Sequence, residues 1–235
     1  MLHHLLLRIV VSLCFFLFPF ISLIAQKSRT GNWWMYFGNN PISKKWNWWN
    51  EIQYRNYNIS GDLEQLMLRT GIGYNLSDNN NNLLVGYGYI RGGNYGNGAE
   101  KVYSNEHRLF QQFITRQQFG RTGLQHRYRL EERFTENDFK LRFRYFLGLN
   151  IGLSRKVIRA NTVYLSAYNE IFIHANSRPA FDRNRIYTAL GYAFQKNLKL
   201  EIGYMTQVQE QKQRGQLQVA LFNTLPLYPQ NAVLD

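Results

Sequence analysis

The sequence predicts an all-β protein, an antiparallel transmembrane β-barrel of 10–12 strands preceded by a signal peptide. Three observations point there: an apolar leader, long segments of alternating polarity, and a composition rich in 16 Tyr, 16 Phe and 5 Trp but with only 5 Pro. Aromatic residues favour sheet, and proline interrupts it. Hydrophobic residues make up 45% of the 235, yet the mean hydropathy is -0.41, so the apolar side chains are dispersed among polar ones. That distribution suits strands with two unlike faces better than membrane helices.

Residues 1–25 read as the signal peptide. Arg8, with His3 and His4, gives a weakly basic start, residues 9–24 form an apolar run, and Ala25 stands before the expected cleavage. Leu23 occupies a position where a small residue is preferred, and a retained anchor is the competing reading. The run is shorter than the roughly 20 residues of a spanning helix, which favours export. Cys14, the one cysteine, is lost with the leader, and a mature chain without thiols has neither disulfides nor a cysteine nucleophile.

Residues 26–235 are expected to form a single barrel domain. In segment 66–76, Leu66, Leu68, Thr70, Ile72, Tyr74 and Leu76 fall on one side of an extended chain, and Gln65, Arg69, Gly71, Gly73 and Asn75 on the other. Segment 139–151 sets Phe139, Leu141, Phe143, Tyr145, Leu147 and Leu149 against Lys140, Arg142 and Arg144. Segment 124–134 interleaves Leu124, Tyr128 and Leu130 with Arg127, Arg129, Glu131 and Arg133. Seven similar segments lie at 46–57, 83–90, 106–117, 163–174, 183–194, 198–207 and 215–225, ten in all. They approach the roughly 9–11 residues of a tilted membrane strand. Half-buried soluble sheets alternate in the same way.

The connections divide into short ones at 77–82, 119–123 and 195–197 and two long ones at 91–105 and 175–182. Short periplasmic turns opposite longer outer loops are expected of such barrels, and ten strands return the C-terminus to the side where the chain began. An eleventh apolar segment at 33–37 spoils this count, which is why the expectation is ten to twelve with an even number preferred. The tail 226–235 carries two prolines and reads as non-strand. Trp33, Trp34, Trp46, Trp48 and Trp49, with Tyr57, Tyr74, Tyr89, Tyr128, Tyr145, Tyr164, Tyr192 and Tyr204, are placed as interfacial aromatics; ordinary core packing is the alternative.

Several phrases resemble the bacterial family known as the domain of unknown function numbered 2490, grouped with outer-membrane β-barrels. They are Asn-Glu-Ile-Gln-Tyr-Arg-Asn-Tyr at 50–57, Asn-Glu-His-Arg-Leu-Phe-Gln-Gln at 105–112 and His-Arg-Tyr-Arg-Leu-Glu-Glu-Arg-Phe at 126–134. Tyr-Asn-Glu-Ile-Phe at 168–172, Phe-Asp-Arg-Asn-Arg-Ile-Tyr at 181–187 and Glu-Ile-Gly-Tyr-Met at 201–205 complete the set. The resemblance covers residues 33–225. It implies an outer-membrane barrel and brings no activity or catalytic residues with it.

Lys and Arg outnumber Asp and Glu by 28 to 15, a net charge of +13. The arginines are spread through the strands instead of forming a patch, which argues against nucleic acid. Strand parity collects Glu51, Arg55, Arg69, Glu106, Arg108, Arg116, Arg127, Arg129, Glu131, Arg133, Arg142, Arg144, Glu170, Arg185 and Glu201 on the inward face. Lys or Arg facing lipid at mid-bilayer costs about 2–4 kcal/mol, so a membrane barrel must turn these groups into its lumen. There they either brace a narrow barrel or line a passage that prefers small anionic solutes.

An enzyme of another class, a membrane-embedded lipid hydrolase, would draw on His107, His126 and His174 with Ser104, Ser154, Ser166 and Ser177, but no Gly-x-Ser-x-Gly occurs. His126 and Glu132 carry the apolar parity of their segment. The three histidines lie far apart and no His-Glu-x-x-His is present, so neither a metal nor a cofactor is expected. The expected location is the outer membrane of a diderm bacterium, reached through the periplasm, with outer-membrane lipid and the barrel-assembly machinery as partners. A soluble periplasmic ligand-binding β protein is the remaining alternative.

Overall fold

A computed structural model describes residues 30–77, 80–96 and 100–229. The expected signal peptide, with Cys14, lies outside the described residues. Among the described residues eleven strands run in chain order: β1 (Gly31–Pro41), β2 (Trp46–Asn56), β3 (Leu63–Asn75), β4 (Asn81–Tyr95), β5 (Lys101–Phe119), β6 (Thr122–Thr135), β7 (Phe139–Gly152), β8 (Thr162–His174), β9 (Phe181–Gln195), β10 (Leu198–Gln209) and β11 (Lys212–Asn223). Each pairs antiparallel with its sequence neighbour, and β1 pairs with β11 to close the sheet into a barrel. Closure satisfies the backbone donors and acceptors of both terminal strands, so no sheet edge remains.

The expected even number gives way to eleven. The apolar segment at 33–37 belongs to β1, and its second partner is β11, in parallel register from Gly31↔Gln216 to Gly38↔Asn223. An odd number of consecutively antiparallel strands can close only through one parallel pair. The parity argument for the termini falls with it. The first strand begins at the end of the barrel where β11 also begins, here the entry end, and β11 finishes at the opposite, exit end.

Loop lengths also differ from expectation. Most of the glycine-rich stretch at 91–105 is hairpin: Arg91↔Asn105 through Tyr95↔Lys101 continue the β4–β5 ladder, which depends on backbone groups that Gly92 and Gly93 possess like any residue. A nine-residue connection, 153–161, lies at the exit end among the turns expected to be short. The β5–β6 turn is tight because Gly120 takes φ +57, a left-handed conformation that glycine adopts without a Cβ clash.

Polarity follows the period-two pattern on nearly every strand. Trp34, Ile52, Leu68, Val85, Leu109, Phe143, Ile186, Leu190, Ile202 and Leu217 are exposed on the outer wall, Val85 to 63% and Leu190 to 58%. Their chain neighbours point inward and are buried, among them Glu51, Arg69, Arg144, Arg185 and Glu201. Apolar residues outside and charged residues inside reverse the usual order of a globular protein.

The aromatic expectation needs division. Trp34, Trp46 and Trp48 are exposed on the outer wall, whereas Trp33, Trp49 and Tyr164 are buried inside because their parity is inward. Tyr128 and Tyr145 face out but pair near mid-strand, with ring centroids 5.1 Å apart.

Candidate functional site: the barrel interior

Glu131 on β6 is the hub of the interior, with no exposed surface. Its Oε2 accepts from Arg142 Nε and Nη2 at 3.1 and 2.6 Å, and its Oε1 accepts from Arg144 Nη1 at 2.5 Å. Arg129, Arg69 and Arg108 stand at 3.5, 3.8 and 4.0 Å. Five guanidiniums around one carboxylate leave surplus positive charge, part of which neighbouring carboxylates offset. Glu170 accepts from Arg144 at 2.6 Å and from Arg127 at 2.7 Å, and Glu51 accepts from Arg69. Glu106 is held by two guanidinium forks, Arg108 and Arg133, each through Nε at 2.6 Å and Nη2 at 3.0 Å. Such bidentate, charge-assisted bonds fix orientation as well as contributing energy.

Two further carboxylates arrive by way of bulges. Asp182 is the extra residue where the β8–β9 register shifts, and Glu64 is skipped where β2 and β3 shift. An unpaired bulge residue can re-aim its side chain. Asp182 reaches Arg142 at 2.8 Å and Arg183 at 2.9 Å, and Glu64 reaches Arg214 at 2.8 Å. Simple alternation assigns both the wrong face, which is why sequence reading missed them.

Aromatic rings complete the packing. Arg55 lies 3.7 Å from the Trp33 ring centroid and Arg185 5.0 Å from the same ring. Arg129 covers Phe110 at 4.5 Å and Arg144 covers Phe172 at 4.4 Å. Stacked guanidiniums keep attraction to a ring face where carboxylates are scarce. Arg55 and Arg185 depend on this, since each hydrogen-bonds glutamines (Arg55 to Gln53 and Gln65, Arg185 to Gln207) and neither has a carboxylate within ion-pair distance among the described residues. Contacts that cross the barrel, from Arg69 on β3 to Glu131 on β6 and from Arg185 on β9 to Trp33 on β1, fill its middle.

Beside this filling lie a cavity of about 450 Å³ that extends to the exit end and one of about 260 Å³ towards the entry end. Six residues line both: Trp33, Arg55, Gln65, Arg133, Arg183 and Arg185. The boundary between the cavities therefore carries four guanidiniums, of which Arg133 is paired with Glu106 and Arg183 with Asp182, while Arg55 and Arg185 have no ion-pair partner among the described residues. Arg116, Lys199 and Glu201 line the larger cavity near the exit end.

The family model described as "Protein of unknown function (DUF2490)" matches residues 30–218, from the start of β1 into β11. The chain belongs to this family. None of the curated proteins and none of the solved structures matches it.

In this DUF2490 barrel the histidines and serines weighed for hydrolysis are not brought together. His126 contacts the Tyr145 hydroxyl at 2.9 Å and His107 that of Tyr87 at 2.5 Å, both on the outer wall. His174 lies 3.9 Å from Asp182. Ser166 lines the larger cavity and Ser104 the smaller, while the Ser154 hydroxyl accepts from the Val163 amide. Among the described residues no His, Cys, Asp and Glu cluster is placed to hold a metal ion. Lys199 was missed although it shares the parity of Glu201, two residues along β10. The interior glutamines Gln53, Gln112 and Gln207 were also missed, because an uncharged polar residue at an inward position carries no signal of partnership.

Proposed function

We propose that this DUF2490 chain is an exported outer-membrane protein whose barrel spans the bilayer, closed at mid-height by its ion-pair layer and anion-preferring where the interior narrows. One observation carries the membrane reading: a closed barrel presents apolar side chains outward on strand after strand while its arginines and glutamates point inward. Exposed apolar surface on this scale marks contact with lipid or protein, and an inward charged lining agrees with the polar interior of membrane barrels. Aromatic pairs near the strand ends, Trp46 with Tyr74 at 4.9 Å and Phe134 with Phe139 at 5.2 Å, suit the two interfaces. The barrel-assembly machinery and outer-membrane lipid are the partners this reading requires.

The anion preference rests on the boundary between the cavities. Arg55 and Arg185, without carboxylate partners, present a local positive potential to anything passing Trp33. Small anions are the favoured solutes. With Glu131 sealed among its arginines, the resting barrel conducts little.

Fractionation tests location: the protein is expected in outer membranes and in solution only with detergent, and recovery from periplasmic extract without detergent would overturn the reading. Planar-bilayer recording tests the lumen. Rare, small conductance events with anion selectivity are expected, and the double substitution Arg55→Gln, Arg185→Gln should abolish that selectivity. Cation selectivity in the parent protein would contradict the assignment.

A further inference from the structure

The larger cavity holds a feature the ion-pair layer does not use. Arg116 on β5 and Lys199 on β10, strands on opposite sides of the barrel, both line it near the exit end. Arg116 makes one side-chain hydrogen bond, from Nε to Gln125 at 3.0 Å. Among the described residues its Nη groups have no partner, and Lys199 Nζ has neither hydrogen bond nor ion pair. Lys199 lies within electrostatic reach of Glu201 first and of Arg116 second. The neighbouring carboxylate, Glu201, is engaged by the hydroxyls of Tyr164 at 3.0 Å and Tyr187 at 3.4 Å. Two cations and one carboxylate leave this end of the cavity with one unmatched positive charge.

The walls between the cations are not uniformly polar. Phe37 stacks on Phe222 at 5.1 Å on one side, and Phe146 meets Tyr168 at 5.0 Å on another, with Ile114 beside Arg116 on the inward face of β5. Gln125, Asn150 and Ser166 add hydrogen-bonding groups. The volume of about 450 Å³ lies in the range of small-molecule sites, roughly 300–1,000 Å³. Apolar walls with a few convergent polar groups are what such sites present.

We propose that the exit-end cavity is a binding site for a monoanionic amphiphile, its carboxylate held between Arg116 and Lys199 and its hydrocarbon or aromatic part against Phe37, Phe222 and Phe146. The guanidinium supplies a planar fork to the carboxylate and the ammonium a point charge opposite. The ligand's single charge cancels the local excess. This goes beyond the anion preference of the passage, because it uses residues that do not line the boundary between the cavities, and it holds whether or not the barrel lies in a bilayer.

The test measures equilibrium binding of radiolabelled 4-phenylbutyrate and decanoate to the full barrel in phosphatidylcholine nanodiscs, with empty nanodiscs as background. Saturable, one-to-one binding of either acid is expected: 4-phenylbutyrate if the natural ligand is a soluble aromatic acid, decanoate if it is an acyl chain freed from lipid. Neutral 4-phenylbutanol should not compete. The double variant Arg116→Gln, Lys199→Gln, shown to be folded by an unchanged heat-dependent gel shift, should lose affinity at least tenfold, whereas Lys140→Gln, at a residue that lines neither cavity, should keep it. Absence of saturable binding, equal competition by 4-phenylbutanol or by inorganic phosphate, or full affinity in the Arg116 and Lys199 variant would overturn the site. Incorporation into the nanodiscs is scored first, and a chain that stays in buffer is assayed there instead, so the two proposals fail separately.

Discussion

Replacing Glu131 with glutamine keeps the side-chain volume and removes the charge at the centre of the interior. In the parent chain three charge-assisted bonds reach this carboxylate, from Arg142 at 3.1 and 2.6 Å and from Arg144 at 2.5 Å. At about 1.5–3 kcal/mol net for each bond to a charged group, their sum is an upper bound. Arg142 retains Asp182 and Arg144 retains Glu170, so part of the pairing survives. Breaking one member of a buried ion-pair network costs about 3–5 kcal/mol, because the remaining charges stay buried without compensation. The glutamine amide adds donors facing guanidiniums that already lack acceptors. Glu131→Gln should therefore destabilise the barrel by about 3–5 kcal/mol. Urea unfolding in phosphatidylcholine vesicles, followed by tryptophan fluorescence, measures this. Glu132→Gln is the matched control: its carboxylate faces outward and accepts from Gln111 at 3.3 Å, so a change within about 0.5 kcal/mol is expected. Equal stability of Glu131→Gln and the parent chain would refute the idea that this carboxylate holds the interior together.

The outer wall and the closing seam give two further tests. Leu68→Arg places a guanidinium on the outward face near the middle of β3, and the same vesicle assay should show a loss of about 2–4 kcal/mol; a neutral result would mean that this face meets water. Leu221→Pro removes a backbone donor and the freedom of φ in β11, between β1 and β10. It should prevent closure and appear on gels as loss of the compact, heat-sensitive band, while Leu225→Pro, beyond the end of β11, leaves that band intact. An unaltered Leu221→Pro barrel would contradict the parallel seam.

Much of this fold is legible in the sequence because strand side chains alternate faces whatever the rest of the molecule does. Leu68 and Arg69, or Phe143 and Arg144, declare opposite sides within a single dipeptide. What alternation cannot carry is register between distant strands. The pairing of β1 with β11 joins residues nearly two hundred positions apart, and nothing local to Trp33 or Val219 distinguishes a parallel partner from an antiparallel one. Bulges defeat it differently, since one inserted residue inverts the assignment, and Asp182 and Glu64 were lost in this way. In the interior, the charged positions stand out against apolar neighbours, but which arginine meets which glutamate depends on crossings such as Arg127 to Glu170, from β6 to β8. The buried rings of Trp33, Phe110 and Phe172 were illegible for a related reason: an aromatic residue at an inward position looks like any other apolar residue.

The sidedness of the wall can be read at two consecutive residues of β8, Leu165 facing out and Ser166 facing the larger cavity. A chain carrying Cys14→Ser has no other cysteine, so a single spin label can be attached at either position. In phosphatidylcholine bilayers the label at 165 should relax with dissolved oxygen and ignore a water-soluble nickel chelate, and the label at 166 should do the reverse. Equal access of the nickel chelate to both labels, or the opposite order, would contradict a barrel with hydrocarbon outside and its arginines within.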